Sequence, residues 1–153
     1  MLLLRHASAG EPMSPPWLDR ERSLDGLGRV QARDLRQALA GFPIERIVTS
    51  PHARCVETVR PLASLVGLEL ERHDALVPNG SRKSALALLE KLPVESLLCT
   101  HREVIERLFD GAVRCEKGGA WVLEQDAERW RPVLYLPAPA LERRRGRGRA
   151  AVA

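Results

Sequence analysis

Three apolar stretches of this 153-residue chain are followed by side chains that bind anions or transfer protons. Arg5 and His6 follow the first stretch, Arg54 comes shortly after the second, and His101 follows the third. If these stretches are parallel strands, their carboxyl ends meet at one edge of a sheet, where α/β proteins bind ligands. We therefore expect two histidines and two arginines to converge on one site.

Phosphoryl transfer through a histidine is the chemistry that such a set would serve. A neutral imidazole is a good nucleophile near pH 7, and neighbouring guanidinium groups keep it neutral because they disfavour a second positive charge. Arginine forks and helix amide ends match the negative charge on the phosphoryl oxygens in the transition state. The sequence offers neither a carboxylate cluster suited to magnesium nor a Gly-x-x-x-x-Gly-Lys loop. We therefore predict a site without metal or cofactor.

The three cysteines, Cys55, Cys99 and Cys115, have no paired spacing. An odd number without such spacing favours a reducing compartment and predicts a cytoplasmic protein. A cysteine-based phosphatase loop needs an arginine six positions after the cysteine, which none of the three has. A zinc site built from Cys99, His101 and Cys115 would lack a fourth ligand. A cysteine nucleophile and a zinc site are therefore not expected.

Short apolar runs alternate with helical stretches along the chain. Strands are predicted over residues 1–5, 44–49, 68–72 and 94–100, with a closing antiparallel pair at 118–124 and 130–136. Helices are predicted from the N-cap Asp25 to about residue 40, from the Ser50-Pro51 start, and over 82–91 and 103–109, with a loop at 7–24. Pro61 should bend the second helix or end it early. This alternation predicts one α/β domain, a three-layer α/β/α arrangement around a mostly parallel sheet.

The positive charge of the chain is concentrated at its C-terminal end. The net charge is +4, and residues 141–153 contain five arginines and one glutamate. Residues 1–140 are therefore neutral overall, which predicts a domain over 1–140 and a disordered basic tail over 141–153. Nucleic-acid binding through this tail is a less favoured alternative function. No apolar run reaches the roughly 18 residues of a membrane span, and neither a signal peptide nor a membrane partner is expected.

Four segments, taken in order, resemble the histidine phosphatase superfamily, also called phosphoglycerate-mutase-like. They are Leu3-Leu4-Arg5-His6-Ala7, Gly28-x-x-Gln31-Ala32, Thr49-Ser50-Pro51-x-x-Arg54-x-x-Glu57-Thr58 and Cys99-Thr100-His101. The resemblance implies a metal-independent phosphatase in which His6 becomes phosphorylated. It also implies that Arg5 and Arg54 grip the phosphate and that His101 is the second catalytic histidine. The implied fold has a central, mostly parallel sheet between helices.

Two departures from the family pattern narrow the expected substrate. Ala7 replaces the family's glycine, as in small SixA-type phosphohistidine phosphatases and in the C-terminal half of two-domain MutT-type nucleotide hydrolases. Pro78 stands where many members carry a proton-donating glutamate, and nearby Glu71 and Asp74 are expected to be surface carboxylates. A missing acid matters least when the leaving group is already stable. The expected substrate is therefore a phosphohistidine protein or a nucleoside polyphosphate. The alternative is a phosphate-binding module without turnover.

The rim of the site is expected to be open, because the flanking segments at 8–23 and 74–82 are short. Trp17 in the first segment is either a base-stacking residue or a packing anchor. His52, at a helix start, and His73, at a strand end, are expected at the surface.

Overall fold

The computed structural model describes residues 1–139, and the predicted basic tail at 141–153 lies outside them. Strands and helices alternate through the first 108 residues, and two long strands follow. The strands are β1 (Leu2–Arg5), β2 (Arg46–Thr49), β3 (Leu70–Arg72), β4 (Ser96–Thr100), β5 (Ala120–Asp126) and β6 (Arg129–Leu136). The helices are α1 (Pro16–Arg20), α2 (Gly26–Leu39), α3 (Ala53–Val66), α4 (Arg82–Lys91) and α5 (Arg102–Leu108), with a 3₁₀ turn at Asp74–Leu76.

The six strands form one sheet in the order β3-β2-β4-β1-β5-β6. The first four are mutually parallel, while β5 runs antiparallel to β1 and to β6. In register, Arg5 at the end of β1 is opposite Thr100 at the end of β4, and Thr49 of β2 is opposite Cys99 of β4. The carboxyl ends of three strands therefore meet at one edge of the sheet, as the sequence predicts.

Helices cover both faces of the sheet, which confirms the predicted α/β/α layers. Leucines of β1 alternate between the two faces, since Leu3 belongs to one buried cluster and Leu2 and Leu4 to the other. The Leu3 cluster includes α4 and α5, and the second cluster includes α2 and α3. The edge that carries the strand ends is thereby held between two packed layers.

Three helical details differ from the sequence predictions. Helix α3 begins at Ala53 with His52 as its N-cap, not at Ser50-Pro51, and it passes through Pro61 to Val66. The missing N–H of an interior proline costs about 3 kcal/mol, and the buried residues of α3 on both sides of Pro61 stabilise the helix against this cost. The expected loop at 7–24 contains the short helix α1, which has no buried residue.

Within the described residues, no helix has the length and apolar character needed to cross a membrane.

Candidate active site

His6 lies directly after β1, where its backbone N–H donates to the Thr100 carbonyl at 3.0 Å. Its side chain is only 6% exposed. The ring nitrogen Nδ1 lies 2.8 Å from the Ala7 carbonyl oxygen, which can only accept, so Nδ1 carries the proton. The nitrogen Nε2 therefore keeps a lone pair in the neutral ring. Burial, reinforced by the nearby charges of Arg54 and Arg5, lowers the pKa of His6 to about 3, so the ring is neutral at pH 7.

His101 is fully buried beside His6, at the N-cap of α5. The two rings meet edge to face, with centroids 5.3 Å apart. Nε2 of His101 lies 2.8 Å from the Ser50 hydroxyl and 3.5 Å from the Cys55 sulfur. Burial, followed by the charges of His6 and Arg54, holds the pKa of His101 far below its usual range. Both predicted histidines are thus neutral and adjacent.

Arg54 occupies the first turn of α3 and is 4% exposed. Its Nη1 donates to the Asp19 carbonyl oxygen at 2.7 Å, and its Nη2 lies 3.2 Å from the Asp19 carboxylate. The same carboxylate accepts from Nε of Arg22 at 2.9 Å. Arg22 in turn donates to the Ala9 carbonyl at 2.7 Å. This network fixes α1 over the strand ends and orients the Arg54 guanidinium.

Arg5 stands at the rim of the site. Its Nη1 donates to the Cys115 carbonyl at 2.9 Å, which ties the end of β1 to the segment before β5. Its charge is close enough to contribute to the lowered pKa of His6. The structure thus gathers His6, His101 and Arg54, with Arg5 alongside.

The backbone that follows His6 is held by side chains from two helices. The N–H of Ala7 donates to the Thr58 hydroxyl at 2.9 Å, and the N–H of Ser8 donates to the Gln31 side-chain oxygen at 2.8 Å. Gly28 allows this close approach, since a Cβ there would lie 1.9 Å from the Ser8 carbonyl oxygen. These residues of the sequence motifs therefore position the loop that carries His6.

The prediction that His52 lies at the surface is wrong. Its ring is half-buried and packs edge to face on His101, with centroids 4.9 Å apart and planes at 74°. This contact with His101 places the ring beside the strand ends. The signal for its place is its position between Ser50 and Arg54, two residues of the site motif. His73 is exposed, as expected.

Several buried side-chain nitrogens of this edge find no hydrogen-bond partner among the described residues. They are Nε of Arg5, Nδ1 of His52, Nε of Arg54 and Nδ1 of His101. Buried polar groups are normally paired, so a cluster of four in one place indicates a polar ligand site. An anion with several acceptor oxygens would suit arginine and histidine donors.

The remaining candidates behave as local surface groups. Glu71 is paired with Arg46, whose Nε donates at 2.8 Å, and Asp74 is exposed. Trp17 is 67% exposed, so it is not a packing anchor. Within residues 1–139, no three His, Cys, Asp or Glu side chains are arranged as metal ligands, including the set of Cys99, His101 and Cys115.

Comparisons with known proteins give a family model and several similar proteins. Residues 1–77 match the family model of the histidine phosphatase superfamily (branch 1). An 8-oxo-(d)GTP phosphatase of Mycolicibacterium smegmatis is 29% identical over an alignment of 140 residues, and the match covers 80% of this chain and 43% of that protein. The chain therefore spans less than half the length of this curated relative.

Solved structures with the same fold include two SixA proteins. The structure assigned as phosphohistidine phosphatase SixA from Agrobacterium tumefaciens is 26% identical, with a TM-score of 0.72 over 88% of this chain and 96% of that one. The protein histidine phosphatase SixA bound to tungstate gives a TM-score of 0.75 at 19% identity, over 92% of this chain and 97% of that one. The family match covers half of the chain and contains both His6 and Arg54. The chain belongs to branch 1 of the histidine phosphatase superfamily.

Proposed function

We propose that the chain is a metal-independent phosphatase that forms a covalent phosphate on Nε2 of His6. The observation that carries this proposal is the buried pair of neutral histidines among unpartnered arginine and histidine nitrogens. A ring whose Nδ1 is fixed on a carbonyl presents Nε2 as the nucleophile. Family membership supports the same roles for the matching residues.

In the first step, the lone pair of His6 Nε2 attacks the phosphorus, and the bond from phosphorus to the leaving group breaks. His6 becomes an N-phosphorylated imidazolium that keeps its proton on Nδ1. Arg54, Arg5 and His101 donate to the phosphoryl oxygens, whose charge rises in the transition state. In the second step, water attacks the phosphorus and the P–N bond breaks, which restores neutral His6 and releases inorganic phosphate.

The substrate that we infer has a leaving group that needs no proton. By the resemblance to the family pattern, Pro78 stands where many members carry a carboxylic acid, and nearby Glu71 is paired with Arg46. Loss of a general acid costs about 10²–10⁴ in rate when a strongly basic alkoxide leaves. An imidazole or a nucleoside phosphate leaves without that help. A phosphohistidine protein or a nucleoside polyphosphate is therefore the proposed substrate, and the names of the SixA and 8-oxo-(d)GTP phosphatase relatives fit this choice.

One substrate panel tests this function. Release of inorganic phosphate is measured from a phosphohistidine peptide, nucleoside di- and triphosphates and 3-phosphoglycerate, with and without EDTA. The expected result is turnover of at least one of the first two classes, which EDTA leaves unchanged and which His6→Ala abolishes. Equal turnover of 3-phosphoglycerate would contradict the inferred substrate class. Binding of phosphate without any turnover would instead indicate a phosphate-binding module.

A further inference from the structure

A cleft next to the candidate active site lies between α5, the segment at 111–116 and the strands β5 and β6. Its volume is about 880 Å³, within the roughly 300–1,000 Å³ that small-molecule sites occupy. Arg5 of the active site also lines this cleft, as does Arg102, which directly follows His101 at the start of α5. The other charged and aromatic side chains of its lining are Glu106, Arg114, Glu116, Trp121 and Tyr135. The cleft therefore begins at the active site and leads away from it.

The strand register places two aromatic rings on the same face of the sheet as Arg5. Leu3 of β1 is in register with Trp121 of β5, which is in register with Tyr135 of β6. Side chains in register on antiparallel strands lie on one face, and residues two apart on a strand share a face. Arg5 is two residues after Leu3, and α5 packs over this face. The aromatic pair and Arg5 are therefore neighbours below α5.

Trp121 and Tyr135 form a fixed aromatic wall. Their ring centroids are 5.0 Å apart and their planes are tilted by 39°. Nε1 of Trp121 donates to the Arg114 carbonyl at 2.9 Å, and the Tyr135 hydroxyl accepts from the Glu116 N–H at 2.9 Å. Both polar groups are thus held by the segment that borders the cleft, while the rings are only half-buried. Such a wall offers a flat surface on which a nucleobase can stack.

The charges of the cleft favour an anion longer than one phosphoryl group. Arg102 is paired with Glu106 at 3.7 Å, and both side chains are about half exposed. The lining has three arginines against two glutamates, which leaves an excess of positive charge. A nucleoside polyphosphate has further anionic phosphates beyond the transferred one, whereas phosphohistidine has none. Arginine forks suit those phosphates, so the cleft fits a nucleotide better than it fits a phosphohistidine protein.

We propose that this cleft holds the base and the remaining phosphates of a nucleoside polyphosphate whose terminal phosphoryl group reacts with His6. The inference rests on the proposed function and selects one of its two substrate classes. The base stacks on Trp121, and Arg102 and Arg114 contact the phosphates that stay with the leaving group. Arg5, which lies where the cleft joins the active site, contacts the phosphate chain at that point.

The test compares a nucleoside triphosphate, ATP or GTP, with inorganic tripolyphosphate, which has the same phosphate chain but no base or ribose. Trp121→Leu keeps an apolar side chain over the core and removes the flat ring. We expect the ratio of kcat/KM for the nucleotide to kcat/KM for tripolyphosphate to fall about 10-fold. If tripolyphosphate is bound without turnover, its inhibition constant is compared instead.

Trp130→Leu is the matched control. It makes the same change at another half-buried tryptophan, which packs on the same core cluster but lines a separate cavity beside Met1. Its ratio should equal that of the parent chain. If Trp121→Leu does not fold, Arg114→Gln should lower kcat/KM for the nucleotide about 10-fold, while Arg129→Gln, at an exposed position of β6, should not.

Three results would overturn the inference. The first is a parent ratio retained in Trp121→Leu, or an unchanged kcat/KM in Arg114→Gln. The second is an equal fall in turnover of a phosphohistidine peptide in Trp121→Leu, which would show that the cleft takes protein. The third is a parent chain that hydrolyses the peptide but neither ATP nor GTP. Failure of the proposed function looks different, since no substrate would then release phosphate in a way that depends on His6.

Discussion

Asp19 holds Arg54 through two contacts, a backbone carbonyl at 2.7 Å from Nη1 and a carboxylate at 3.2 Å from Nη2. Both terminal nitrogens of this guanidinium thus contact the helix that covers the site, while its buried Nε has no partner among the described residues. The planar fork of arginine places its donors on separate nitrogens, so it can hold Asp19 and still direct another N–H toward a phosphoryl oxygen. The relationship explains why α1, a helix with no buried residue, has a fixed place over the strand ends.

Replacement of Arg54 by lysine tests this double role. Lysine keeps the charge but has a single nitrogen, so it cannot reproduce the separate contacts that the arginine fork makes. Hydrogen bonds to charged groups contribute about 1.5–3 kcal/mol each, so we expect kcat/KM for p-nitrophenyl phosphate to fall roughly 10- to 100-fold. Arg60→Lys is the control, since it makes the same change at an exposed position of the same helix. Equal activity of the two variants would show that the fork of Arg54 is not required.

Replacement of Gly28 by alanine tests how the loop after His6 is positioned. A Cβ at Gly28 would lie 1.9 Å from the Ser8 carbonyl oxygen, a backbone atom that cannot move alone. We expect Gly28→Ala to reduce the free energy of unfolding by about 1–3 kcal/mol. We also expect it to reduce activity. Gly26→Ala is the control, because its Cβ would come no closer than 3.8 Å to the Arg29 side chain. Urea denaturation of both variants provides the comparison, and similar midpoints would refute the close approach.

Acid should destabilise the fold through His6. Its pKa is about 3 in the folded chain and an ordinary 6.5 when exposed, so the unfolded chain binds more protons at any pH between these values. Stability is therefore full above pH 6.5 and falls as the pH falls toward 3. His6 alone should account for a loss of about 2 kcal/mol between pH 7 and pH 5. Buried His101 acts in the same direction.

Urea midpoints at pH 7 and pH 5 measure this dependence. His6→Asn should lose less stability between pH 7 and pH 5 than the parent chain does. The variant His73→Asn, which alters an exposed residue, should lose as much stability as the parent chain. An identical pH dependence in His6→Asn and the parent would show that His6 is not held neutral by burial.

The sequence predicted those parts of the site that local patterns determine. Apolar runs and caps locate strands and helices within a few residues, and α4 matches its predicted range of 82–91. Because parallel strands end at a common edge, the meeting of His6, His101 and Arg54 followed from those positions. The family motifs then gave each of these residues an expected role.

The parts that were missed depend on contacts between distant segments. The place of α1 is set by Asp19 and Arg22 contacting Arg54 and the Ala9 carbonyl, and no local pattern contains that information. His52 was taken for a surface residue because a histidine at a helix start is usually solvated. Its partial burial arises from packing on the ring of His101, a residue 49 positions away in the sequence.

The most direct test of the account is to trap the covalent phosphate. The full chain is mixed with p-nitrophenyl phosphate, quenched in alkali, where phosphohistidine is stable, and digested for mass spectrometry. The account predicts phosphate on the peptide that contains His6, at Nε2, and none in His6→Ala. Continued hydrolysis with no phosphate on His6, or with phosphate on another residue, would contradict it.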